Sequence, residues 1–262
     1  EVFRSLGAEV YVLHGEPNGD LINVQCGSTD LTPLKRAVNE TQSEMGFAFD
    51  GDADRVLAVD GRGRVIDGDH VLYLWGSILK ERQELPGSRL VATVMSNLGF
   101  EKAWLAKGGV LERTPVGDQH VHAAMLENGC ALGGEQSGHI LSAQHGLFGD
   151  GLLTALQLAT ICKDQGLDLS NWLDKSFKAF TQRLVNIHIP NPILRNNWDS
   201  CEQLTEAVSN ANDSMGQEGR ILIRASGTEP LLRVLVEAAD PKKVESISSD
   251  LTSLVHEYLN IT

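Results

Sequence analysis

An apolar run from Leu90 to Val94, a polar break at Met95-Ser96-Asn97 and a helical stretch to Lys107 follow one another in the chain. A second apolar run from Val110 to Val116 and a helix opened by Gly117-Asp118 come next. Parallel strands need a crossover of a dozen or more residues, usually a helix, and this spacing supplies it. The alternation therefore commits the middle of the chain to an α/β domain with a largely parallel sheet. Sheets of that kind hold ligands beyond the carboxyl ends of their strands, so the polar segments that follow apolar runs are where function is sought.

The same texture begins earlier. Glu1 to Gly7 reads as the last turns of a helix closed by glycine, with no methionine before it, so the chain is expected to start inside a domain of a longer protein. Ala8 to Leu13 alternates like a strand, Asp30 can cap a helix running to about Gln42, and Met45 to Phe49 is a short apolar run. Val56 to Asp60 and Arg64 to Ile66 flank a hairpin-like turn, Asp69 to about Arg82 has helical periodicity, and Pro86-Gly87-Ser88 breaks the pattern. Ala131 to Gly134 leads into a polar loop, and Gly149-Asp150-Gly151 opens a long helix. Beyond residue 180 come the strand-like Arg183 to Ile189, an irregular stretch from Pro190 to Asn197, a helix to about Ala211, two strands around Ser226 to Pro230 and an amphipathic helix from Pro241 to about Leu259.

The expected organisation is two consecutive α/β domains with mixed, largely parallel sheets and then a small α+β domain. Residues 1–84 would be the C-terminal part of the first, 85–180 the second and 181–262 the third. A length of 262 residues with 42% hydrophobic content supports two or three such cores. The first two segments share a loose likeness of βα units, with no repeat of fixed period.

Composition excludes several classes of partner. The formal charge of −13, without clustered basic residues, argues against nucleic acid. No run of about 18 apolar residues is present, which argues against a membrane span. Cys26, Cys130, Cys162 and Cys201 are scattered without a C-x-x-C pair, as expected of reduced thiols in a cytoplasmic protein.

Three loops carry the chemistry. Asp50, Asp52 and Asp54 follow an apolar run at alternate positions and can converge on one hard cation such as Mg²⁺. A calcium hand would need Gly and Glu where Arg55 and Gly61 stand, and Arg55 is left to hold an anion that also touches the metal. Arg224, Ser226, Gly227, Thr228 and Arg233, set between two strands, have the composition of a phosphate cradle. Glu135, Gln136, Ser137 and His139 crowd one strand end, where a carboxylate and a hydroxyl can take sugar hydroxyls and an imidazole can carry a proton or contact a phosphate. His120 and His122, at i and i+2 of a helix, make a poor metal pair, and the four tryptophans read as core or interface.

The order DGDADR (50–55), GEQSGH (134–139) and RASGTEP (224–230) resembles the α-D-phosphohexomutase superfamily across nearly the whole chain. GEQSGH, RASGTEP-LLRV and Cys26-Gly27-Ser28-Thr29 look most like its phosphoglucosamine mutase branch. The resemblance implies interconversion of glucosamine 6-phosphate and glucosamine 1-phosphate through a phosphoserine and a hexosamine bisphosphate, which also serves as activator. It implies Mg²⁺ on Asp50, Asp52 and Asp54, Arg55 at the phosphoryl group in transfer, Glu135 and Ser137 at the sugar with Gly117 and Asp118 beside them, and His139 as acid/base. Arg224, Ser226, Gly227, Thr228 and Arg233 would hold the other phosphate.

The family's serine lies in a segment like T-A-S-H-N-P of an N-terminal domain, and this chain has no such segment. The chain alone is therefore expected to be inactive, to need that domain as a partner, and to hold its metal with waters completing the shell, or to have it absent or replaced. Gln119 stands where the family's glucosamine enzymes usually place a basic residue. That departure keeps open a phosphomannomutase/phosphoglucomutase acting on a phosphorylated hexose. A non-catalytic sugar-phosphate-binding module is the remaining alternative.

Overall fold

The computed structural model describes residues 1–227 and 229–259 and divides the chain into two compact units. One comprises Glu1–Ser96 and Phe100–Phe177, the other Asn97–Gly99 and the chain from Lys178 onward.

The first unit opens with the single turn α1 (Val2–Ser5), α2 (Thr32–Thr41) and the strands β1 (Met45–Phe49), β2 (Val56–Asp60) and β3 (Val65–Ile66). Asp30 accepts the Thr32 N–H at 2.9 Å but stands one residue before the expected cap position, which Leu31 occupies without a side-chain capping bond, and α2 ends where Gln42 turns left-handed. β1 and β2 pair antiparallel, and so do β2 and β3. This sheet is thus not the largely parallel one expected of the first segment. Residues 50–55 alone join β1 to β2, too few for a crossover, so β2 must return beside β1. Ala8 to Leu13 is a second correction: it joins no sheet among the described residues, and Tyr11 and Val12 are 56% and 59% exposed. Alternation makes a strand only where a neighbouring edge offers a ladder.

α3 (Gly68–Glu81), β4 (Arg89–Thr93), α4 (Leu98–Ala106), β5 (Val110–Thr114), α5 (Asp118–Asn128), β6 (Leu132–Gly134), β7 (Ile140–Ser142), α6 (Gly151–Asp164) and α7 (Leu169–Lys175) follow. The second sheet has the order β5-β4-β6-β7, with β4 parallel to β5 and β6, and β7 antiparallel to β6. α3 is buried along most of its length, and Gly76 lets it approach Leu90 and Trp104. One continuous core runs from Ala58 to Phe177, across the break near residue 85. Trp104 lies at its centre, fully buried, its indole N–H shared between the carbonyls of Ser88 and Val110 at 3.2 Å each.

The second unit carries β8 (Thr181–His188), α8 (Pro192–Asn196), α9 (Glu202–Met215), β9 (Gly219–Ala225), β10 (Leu231–Ala238) and α10 (Pro241–Leu259). Its sheet, β8-β10-β9, is antiparallel throughout, the α+β texture expected. Leu232, Val234 and Val236 point from β10 into a core shared with Ile187, Ile223, Leu204, Leu251 and Val255. The alternate positions of β10 face the other way, which sets Arg233 beside Arg224 and Glu237 beside Arg220. Among the described residues no helix is long and apolar enough to cross a membrane.

Trp104→Ala should cost about 3–5 kcal/mol, the range for truncating a buried aromatic, because the cavity it leaves is walled by helix and sheet. Urea unfolding followed by circular dichroism should show a lower midpoint at unchanged slope.

Candidate active site

The acidic loop leaves β1 and turns tightly through Ala53, which adopts φ 60° and donates its N–H to the Asp50 carbonyl at 3.3 Å. That turn brings the carboxylates of Asp50, Asp52 and Asp54 together, one oxygen of each within 4.8 Å of the others. Asp50 Oδ1 accepts the Arg55 N–H at 3.2 Å, and the Arg55 Nε stands 3.8 Å from Asp50 Oδ2 and 3.7 Å from Asp54 Oδ1. Asp54 Oδ1 is buried without a hydrogen-bond donor. Burial first, and then the neighbouring Asp50 carboxyl, raise Asp54 above the ordinary carboxylate range, against the pull of His139 and Arg55. An orphaned carboxylate oxygen in a cluster of three acids fits a hard cation such as Mg²⁺, which takes oxygen ligands. Arg55 flanks the cluster without filling it.

The loop after β6 is folded on itself. Glu135 N–H donates to the His139 carbonyl at 2.9 Å and Gly138 N–H to the Glu135 carbonyl at 2.9 Å. Glu135 then spends one carboxylate oxygen on the Gly117 N–H at 3.0 Å and the other on the Ser137 hydroxyl at 3.3 Å. Gly117, Glu135 and Ser137 are thereby brought together, and Asp118 opens the adjoining α5. The Gln119 amide packs against Gly117, which adopts φ 127°.

His139 connects the two loops. Its ring is buried, Nδ1 lies 3.0 Å from Asp54 Oδ2, and Gly149 is pressed so closely against it that a Cβ there would come within 2.3 Å of the ring. The imidazole that sequence reading offered as a proton carrier stands behind the acidic cluster.

Sequence reasoning read Gly149-Asp150-Gly151 as a helix start but missed that it, with Asp67-Gly68, braces these loops. Asp67 and Asp150 cap α3 and α6, and each is followed by a glycine whose N–H supports a loop: Gly68 to the Gln136 carbonyl at 3.0 Å, Gly151 to the Ala53 carbonyl at 2.9 Å. A Cβ on Gly68 would fall 1.9 Å from the Glu135 carbonyl oxygen, and one on Gly151 would fall 2.7 Å from that of Arg55. The repeated Asp-Gly at two helix starts was the available signal.

In the second unit, Arg224 and Arg233 are direct cross-strand partners at the mouth of the β9–β10 turn. Arg233 Nη2 binds Glu229 Oε2 at 2.8 Å, while its Nε is buried without a hydrogen-bond acceptor among the described residues. Ser226 is buried, donates its N–H to the Leu231 carbonyl at 2.8 Å and accepts the Glu229 N–H on its hydroxyl at 3.3 Å. Gly227 has open space around it, and Thr228 lies outside the described residues.

Comparison with known proteins gives the family. Residues 67–180 match the family model "Phosphoglucomutase/phosphomannomutase, alpha/beta/alpha domain III", which takes α3 with the second sheet, and residues 184–254 match the same family's "C-terminal domain". The chain is 65% identical over 261 residues to a phosphoglucosamine mutase of a Synechococcus species, covering 100% of this chain and 56% of the relative. It is 66% identical over 260 residues to one of Prochlorococcus marinus, covering 99% and 56%. The chain thus spans little more than half the length of these relatives. Among solved structures, the fold is shared with a phosphoglucomutase/phosphomannomutase family protein of Burkholderia thailandensis at TM-score 0.76 and 22% identity, over 98% of this chain and 56% of that one. It is also shared with the Aspergillus fumigatus N-acetylphosphoglucosamine mutase in complex with GlcNAc-6P and magnesium, at TM-score 0.74 and 21% identity, over 92% and 54%.

His139→Ala should weaken Mg²⁺ binding about 10- to 100-fold in calorimetry, the usual cost of removing a group that orients a metal ligand. The pH dependence has a definite sign. A carboxyl raised in the folded chain holds its proton more tightly than when unfolded, so without metal its contribution favours the fold at low pH and is lost as pH rises through the raised value. A cation binds the ionised form, so the thermal stabilisation given by Mg²⁺ should be larger at about pH 7.5 than at about pH 5.

Proposed function

Because the chain belongs to the α-D-phosphohexomutase superfamily, we propose that its protein interconverts glucosamine 6-phosphate and glucosamine 1-phosphate in the cytoplasm, through a phosphoserine and a hexosamine bisphosphate. The serine would come from the part of the protein corresponding to the length of the relatives that this chain does not span, and the chain alone would be inactive. The observation that carries the reading is the joining of the acidic loop to the sugar loop by His139 and Asp54 at 3.0 Å. A cation site and a polyhydroxyl site in one rigid piece are what phosphoryl transfer to a sugar needs. The 65% identity to a phosphoglucosamine mutase supports the choice of sugar.

In this reading Asp50, Asp52 and Asp54 hold Mg²⁺, which when bound neutralises charge on the phosphoryl group in transfer. Arg55, beside the cluster and half exposed, reaches the same phosphoryl oxygens. Glu135 and Ser137 exchange their mutual hydrogen bond for bonds to neighbouring sugar hydroxyls, and Gly117 and Asp118 form the adjoining wall. His139 holds Asp54 in place, and acting as acid/base would require its ring to leave that contact. Arg224, Ser226, Gly227, Thr228 and Arg233 grip the phosphate that is not being transferred, with Arg233 exchanging Glu229 for the anion. Fixing one phosphate in two sugar orientations lets the bisphosphate present either end.

The test supplies the chain with the remaining portion of its relatives and compares turnover of glucosamine 1-phosphate, glucose 1-phosphate and mannose 1-phosphate in the presence of a bisphosphate activator. Glucosamine 1-phosphate should be turned over fastest. Equal turnover of the neutral hexoses would favour a phosphomannomutase/phosphoglucomutase, and binding without turnover a non-catalytic module. Arg233→Ala should raise KM roughly 10- to 100-fold, which corresponds to the ~1.5–3 kcal/mol of a charge-assisted hydrogen bond.

A further inference from the structure

In the sheet of the second unit, residues directly opposite one another in the antiparallel ladders share a face. The pairs Asn186–Arg233 and Arg233–Arg224 therefore set three side chains in one row across β8, β10 and β9, on the face turned away from Leu232 and Val234. Such neighbours have Cβ atoms about 4.5–5.5 Å apart, so Asn186 flanks Arg233 on one side as closely as Arg224 does on the other. The next row along the strands, Leu184–Leu235–Leu222, is apolar. The polar row thus lies between an apolar band and the β9–β10 turn.

Asparagine is depleted in strands, and this one gains nothing visible from its place. Its side chain is exposed, and its carboxamide makes no hydrogen bond to any described residue. A polar residue on an edge strand discourages pairing with another chain, which would account for some polar group at this position. What singles out Asn186 is its neighbour. Arg233 Nε is buried without an acceptor among the described residues, and its Nη2 is taken by Glu229 of the turn. A phosphomonoester presents three terminal oxygens. Arg224 and the turn approach an anion over Arg233 from the β9 side, and Asn186 stands on the β8 side with two N–H donors unspent.

We infer that Asn186 is a further ligand of the phosphate held at the β9–β10 turn, donating an amide N–H to an oxygen that the arginines and the turn leave open. The site is then a row across all three strands, with the turn as one wall. A neutral amide suits the position, because it adds a donor without setting a third positive charge beside two guanidinium groups that already repel each other. The inference rests on the reading of Arg224 to Arg233 as a phosphate site and is independent of the choice of sugar.

The experiment titrates the chain with inorganic phosphate and follows the NMR amide shifts of Ser226 and Gly227, which report on the turn itself, with thermal unfolding as the control for each variant. Asn186→Ala should unfold as the parent does, since an exposed side chain leaves no cavity, and should weaken phosphate about tenfold, the lower end for a hydrogen bond to a charged group. Asn186→Asp keeps the shape, replaces the donors by a carboxylate and should weaken it further. Parent-like affinity in Asn186→Ala, while Arg233→Ala loses phosphate, overturns the inference and leaves the turn as a phosphate site. If Asn186→Ala unfolds differently, Asn186→Asp decides, and parent-like affinity there overturns the inference. A parent chain that binds no phosphate at the turn, or binds it indifferently to Arg233→Ala, removes the phosphate reading and this inference together.

Discussion

The 3.0 Å approach of the His139 ring to the Asp54 carboxylate is the contact on which the first unit's functional geometry rests. One partner belongs to the loop after β1 and the other to the loop after β6, so a single 3.0 Å contact spans two different sheets. Both groups are polar, and the histidine is buried, so neither can be displaced without leaving a desolvated partner behind. The rest of the neighbourhood serves to make that contact unavoidable. Gly149 leaves no room for the ring to swing back, the Gly138 carbonyl accepts the Val56 N–H, and the first residues of α3 and α6 lie directly under the two loops. A shift of either loop would therefore be transmitted to the other through groups already in van der Waals contact.

The helix starts do this work with the same chemistry twice. An aspartate cap satisfies one N–H of the first turn, and the glycine after it offers another N–H outward with no Cβ in the way. The orphan donors that every helix carries at its beginning become the supports of the acidic loop and the sugar loop. Because a Cβ at either glycine would overlap a loop carbonyl, the loop positions are fixed by backbone geometry more than by side chains that could change rotamer. Side-chain freedom is left at Arg55, Glu135 and Ser137, where the proposed function places its ligands.

Much of this was legible in the sequence where the information is local. The three aspartates, Arg55 and the Glu135-to-His139 run are contiguous, and the strand-helix alternation of residues 90–128 fixed the parallel pairing of β4, β5 and β6. What could not be read depends on distant partners. The antiparallel return of β2 follows from the brevity of residues 50–55, a constraint present in the sequence but outweighed by analogy with the next segment. The alternation of Ala8–Leu13 identifies strand-forming potential without saying whether an edge is there to meet it. The burial of His139 needs Asp54 and Gly149, which lie 85 residues before it and ten after, and no periodicity links them. The break at Pro86-Gly87-Ser88 is a real turn, yet the apolar faces on either side close over it into one core.

Electrostatics gives the two units opposite deficits. In the first, three carboxylates gather within 4.8 Å, Arg55 approaches two of them at the limit of an ion pair, and one buried oxygen remains without a donor. In the second, register sets two guanidinium groups directly across a strand pair, an arrangement that disfavours itself unless an anion lies between or beside them. Glu229 meets part of that need at 2.8 Å, and it is half exposed on the turn, where the proposed function has a phosphate take its place. Each cluster is thus stabilised by what it would bind and is poorer without it. A chain with a formal charge of −13 does not attract phosphate by its overall field, so the phosphate binding proposed above would have to be concentrated in these few positions. The antiparallel register of β9 and β10 is what concentrates it, because a slip of one residue would turn Arg233 into the apolar core and Leu232 out to water.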